Sequence, residues 1–90
     1  MQKKVALIVR DRQDEALRVA IGLTLMDDSI DVYVMDKKVE DTKKNRLNLE
    51  TMEMMDMKIF TNFRGNEKME YLPVQEIAGR LLEYDIVLPY

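Results

Sequence analysis

Residues 5–9 (Val5, Ala6, Leu7, Ile8, Val9) are apolar at every position rather than at every second one. That pattern predicts a strand buried on both faces, as in a parallel sheet between helices. Asp11, Asp14 and Glu15 follow, suited to cap and charge the start of a helix. The helix is predicted over 15–26, with a core face of Ala16, Val19, Ala20, Leu23 and Met26 at the i, i+3, i+4, i+7 spacing. Leu17, Ile21 and Leu25 form a second apolar row with Gly22 beside it, which predicts a further contact on that flank. Asp27-Asp28-Ser29 breaks the helix, and the β-branched and aromatic residues of 30–35 predict a second strand.

Residues 36–46 hold five basic and three acidic side chains and no glycine-rich turn, so they read as a solvated connection rather than a phosphate loop. A second helix is predicted over 47–56, with Leu49, Met52 and Met55 inward and Leu47 and Met54 widening the apolar face. Residues 57–61 read as a third strand. The connection 62–68 is too short for a crossover helix, so 69–72 is either a hairpin partner of that strand or a short edge piece. Pro73 suits the start of a third helix whose apolar face is Val74, Ile77, Ala78 and Leu81, with Gly79 permitting close packing. A last short strand is predicted over 85–88. The pattern predicts one α/β domain over 1–90, a small three-layer α/β/α arrangement with a mostly parallel sheet of four to five strands.

Composition narrows the chemistry. The chain has 90 residues with no cysteine and no histidine, which removes thiolate nucleophiles, persulfides carried on the protein and Cys- or His-ligated metals. Four of the eight methionines lie between Met52 and Met57, but methionine is also a flexible core filler, and no metal or cofactor is expected. A net charge of -3 gives no general attraction to nucleic acid. No apolar run is long enough to span a bilayer, and Met1-Gln2-Lys3-Lys4 leads into a strand too short for a signal-peptide core, so a cytoplasmic chain without membrane contact is expected.

The apolar strand 5–9, the apolar helix 15–26 and the closing pattern from Tyr71-Leu72-Pro73 to Ile86-Val87-Leu88 together resemble the DsrE/DsrF-like family of small sulfur-relay proteins, which includes the TusB, TusC and TusD subunits. The resemblance implies a fold that assembles into homo-oligomers or with related subunits. Family members that carry sulfur do so on a cysteine just after the third strand, followed by a helix. Here Thr61-Asn62-Phe63-Arg64-Gly65 occupies that place, without the thiol or room for the helix. A non-catalytic, oligomer-forming or partner-binding subunit is the expectation, with Leu17, Ile21, Gly22 and Leu25 as its interface.

The alternative is a small-ligand site, for an anion or nucleotide, outside the carboxyl ends of the strands, where open α/β sheets bind ligands. Arg10, Asp11, Arg12, Asp36, Lys37, Thr61, Asn62 and Arg64 follow the first three strands and are expected to converge there. A receiver-like acidic pocket using Asp11 and Asp36 would lack the aspartate wanted after the third strand, where Thr61 and Asn62 stand.

Overall fold

The computed structural model describes residues 3–26 and 29–90. The elements run β1 (Lys4–Val9), α1 (Gln13–Leu25), β2 (Ser29–Val34), α2 (Lys43–Met54), β3 (Lys58–Thr61), β4 (Glu70–Tyr71), α3 (Val74–Leu81) and β5 (Ile86–Pro89). The five strands form one sheet in the order β4-β3-β2-β1-β5, and every neighbouring pair is parallel. The helix break expected at Asp27 and Asp28 lies outside the described residues.

β1 is the inner strand on which the layers are built. Because side chains alternate across a strand, Val5, Leu7 and Val9 enter one apolar core with Ala16, Leu17 and Ala20 of α1 and Met52 of α2. Ala6 and Ile8 enter another on the opposite face with Tyr33, Phe60 and Ile77 of α3. All five apolar residues of the opening run are buried, as a strand between two layers requires. The three-layer α/β/α arrangement follows.

Several local expectations change. α2 begins at Lys43 rather than at 47, because Thr42 is its N-cap and accepts a hydrogen bond from the Asn45 backbone N–H at 3.1 Å. The first helical turn is polar and carries no apolar signal. Asp11 does not cap α1; Arg12 holds the N-cap position without a side-chain bond, and Asp11 pairs with Lys37 instead. Pro73 occupies the N-cap of α3. Of the apolar face predicted there, Ile77 is buried, Val74 and Ala78 are exposed, and the eight-residue helix leaves part of its sheet face open.

β4 is a parallel edge strand, not a hairpin partner, registered with Phe60↔Glu70 and Thr61↔Tyr71. The connection between the two strands carries no helix. Two consecutive turns, closed by Asn66 N–H to Phe63 O and Met69 N–H to Asn66 O, each at 3.2 Å, bring the chain back in the same direction.

The two rows of α1 also differ from expectation. Leu17 is fully buried in the chain's own core, Ile21 packs against that core, and Met26 from the predicted core face is 75% exposed. Leu17, Ile21 and Leu25 therefore do not form a continuous exposed stripe. Only Leu25 is in solvent, and Gly22 has nothing within 4 Å of where a Cβ would stand.

Candidate functional site

In this topology the strand order reverses at β1: the chain proceeds outward through β2, β3 and β4, then returns to place β5 on the other side. The ligand crevice of an open α/β sheet lies at such a switch point, between the carboxyl ends of the two strands. Of the eight predicted residues, only Arg10, Asp11 and Arg12 follow β1. Arg12 lies over the Tyr90 ring at 5.2 Å, so an arginine–aromatic contact lies across this crevice.

Five of the predicted residues, Arg10, Asp11, Asp36, Lys37 and Asn62, pair with one another. Arg10 pairs with Asp36 at 3.6 Å and Asp11 with Lys37 at 2.5 Å. Asp36 takes a positive φ of 72°, and its backbone N–H donates to Asn62 Oδ1 at 2.7 Å while Asn62 Nδ2 donates to the Asp36 carboxylate at 3.1 Å. Asparagine and aspartate are the non-glycine residues that most readily tolerate this region. Thr61 Oγ1 donates to Val34 O at 2.7 Å and accepts from the Phe63 N–H and from Asn66 Nδ2, both at 3.1 Å. Arg64 lies apart at the β4 edge, over the Tyr71 ring at 4.2 Å.

Three buried amides that pattern reading passes over complete this network: Gln13, Asn45 and Asn66. Asn66 Oδ1 accepts from the Val39 N–H at 2.9 Å, and its Nδ2 also donates to Lys37 O at 3.1 Å. Gln13 donates to Lys38 O at 3.2 Å and accepts from the Glu40 N–H at 2.9 Å, while Asn45 donates to Glu40 O at 3.0 Å. The segment read as a solvated loop has its backbone groups from Lys37 to Glu40 held by side chains from two other parts of the chain, Gln13 and Asn66, and by its own Asn45. Backbone polar groups that leave the ladders and are buried need such partners. Nothing in the sequence marks these amides; the sole local hint is Thr42 three residues before Asn45.

The Asp11–Lys37 pair has a titration signature. The Lys37 hydrogen bond, then its charge, holds the Asp11 carboxyl below its ordinary 3.8, and Asp11 likewise raises Lys37 above 10.5. A lowered carboxyl favours the fold above the unfolded value and loses that effect as pH falls through the folded one. Carboxyl-detected NMR should therefore give Asp11 a midpoint below 3.8, and Lys37→Ala should return it toward 3.8. An unmoved midpoint would show that the pair does not persist in solution.

At the opposite, amino end of the sheet lies a groove of about 590 Å³ where α3 stops short. Tyr84 donates to the Asp31 carboxylate at 2.6 Å, which leaves Tyr33, whose hydroxyl is 2.7 Å away, to donate to Tyr84. Tyr33 stacks on Phe60 with centroids 5.0 Å apart, and Lys4 and Arg80 lie over the Tyr84 and Phe60 rings. Burial, then the bonds to Asp31 and Tyr33, push the Tyr84 phenol well above 10. It stays a neutral donor through the physiological range and is unsuited to act as a general base there.

Among the described residues no group of three or more acidic side chains is arranged to hold a metal ion, and no helix is long and apolar enough to cross a membrane. Fold and polar network together define a small open α/β protein with an all-parallel sheet. No family model, curated protein or solved structure matches the chain.

Proposed function

We propose that this chain is a non-catalytic, DsrE-like module that works by binding other protein chains, its own copies or related subunits, and carries no sulfur. The observation that supports this reading is the state of the strand-end groups. Five of the eight polar side chains that would hold a ligand at the carboxyl ends are engaged with one another, Arg10 with Asp36, Lys37 with Asp11 and Asn62 with Asp36. Thr61, the first residue of the stretch 61–65 that stands where the resembling carriers have their nucleophile, is fully buried and donates its hydroxyl to Val34 O. A hydroxyl cannot hold a persulfide, and the chain has no thiol to replace it.

Incubation with a persulfide donor followed by intact-mass measurement is expected to leave the mass unchanged. A stable, stoichiometric gain of sulfur overturns the reading. Calorimetry with phosphate, sulfate and nucleotides provides the other arm: binding that Arg10→Ala abolishes would replace a protein-binding role with an anion site in the crevice.

A further inference from the structure

We infer that a second copy of this chain docks on the amino end of the sheet. This rests on the reading of the chain as a protein-binding module and names the face and the partner. In a parallel α/β sheet each helix runs from the carboxyl end of one strand back to the amino end of the next. α1, α2 and α3 therefore all finish at the same end, at Leu25, Met54 and Leu81. The side chains at and just beyond those ends are apolar and bare: Leu25 and Met26 are each 75% exposed, Met54 83% and Leu82 88%. They are the four most exposed large hydrophobic residues among those described, and they come from both helical layers. The groove joins the layers, since Thr24 and Met55 line it from one and Glu83 from the other. Isolated apolar side chains on a surface are ordinary, but a cluster around one end marks an interaction site. Methionine suits such a site because its unbranched thioether adapts to the surface it meets.

Charge selects the occupant. Lys4, Lys58 and Arg80 line the groove together with Asp31, Asp56 and Glu83, three cations and three anions. A strongly acidic or basic partner would meet as many like charges as opposite ones. A second copy turned about a two-fold axis brings the same six charges, so each sign can find its complement while the apolar rims meet. The flank of α1 expected to mediate self-association is largely closed by the chain's own core, and Leu25 is the one member of that row that belongs to the inferred contact.

Sedimentation equilibrium at micromolar concentrations tests this, on the wild type, on Met54→Glu/Leu82→Glu and on Leu47→Glu. Leu47 is exposed too, but it lies nearer the start of α2, away from this end. The wild type is expected at twice the 10.6 kDa chain mass, the double variant at the chain mass with an unchanged circular dichroism spectrum, and Leu47→Glu at the wild-type mass. If the double variant loses its spectrum, amine cross-linking of mixed light and heavy wild-type chains decides: light-to-heavy links at Lys3, Lys4 or Lys58 support the contact, and links confined to other lysines overturn it. A monomeric wild type overturns the inference. A variant that folds and stays oligomeric overturns the face and leaves the protein-binding reading standing, whereas that reading itself falls to sulfur uptake or crevice binding.

Discussion

Leu17→Ala is expected to destabilise the fold by about 3 kcal/mol or more, within the range for emptying a fully buried leucine site. Leu17 has no exposed surface and sits among the strand residues of β1 and β2 and the methionine of α2, so the surrounding layers cannot close the gap without moving an element. In a domain of this size each kcal/mol lowers the melting temperature by about 4–8 °C, so the loss should be visible both in urea and on heating. Leu25→Ala, on the same helix two turns later and 75% exposed, should change stability by no more than about 0.5 kcal/mol in the monomer. The two substitutions remove the same atoms, so equal effects would show that α1 is rotated relative to the sheet.

Asn66→Ala carries the other large effect. The Asn66 side chain holds the Val39 N–H, Lys37 O and Thr61 Oγ1, and it is 7% exposed, so water does not readily replace it. A buried donor or acceptor left without a partner costs about 1–3 kcal/mol, and the substitution strands a donor and an acceptor of the backbone together. A loss of about 2–4 kcal/mol is the expected result. Urea denaturation gives its size, and amide hydrogen exchange gives its place, since the Val39 N–H should exchange faster than in the wild type. An unchanged Val39 exchange rate would mean that the loop holds its conformation without Asn66. Asn62→Ala, at the more exposed end of the same network, should cost less because water can reach the Asp36 N–H.

These two residues mark how far pattern reading reaches. The opening run, its burial on both faces and the alternation of strands and helices were open to it, because a fully apolar strand and an amphipathic helix each carry their period in the chain itself. Of the candidate residues at the strand ends, Arg10 and Asn62 meet Asp36 and Asp11 meets Lys37, partners that residue type and position along the chain do not specify. Gln13, Asn45 and Asn66 went unmarked, because an amide that will be buried reads like one in solvent. Its partners are backbone groups elsewhere in the chain, up to 29 residues away in the Asn66–Lys37 contact.

The sequence by itself determined the layered α/β class, the element order and the absence of any thiol chemistry, each of which depends on local composition or period. Tertiary structure alone decided the rest. β4 runs parallel because two turns anchored by Asn66 return the chain, and no apolar period exists in that stretch to reveal its direction. Leu17 is inside and Leu25 outside because the packing of α1 on the sheet and beside α2 covers one part of a row that a helical wheel treats as uniform. The apolar cluster at the amino end has the same origin. Exposure there depends on where three helices stop relative to one sheet edge, a distance in space that no spacing along the chain records.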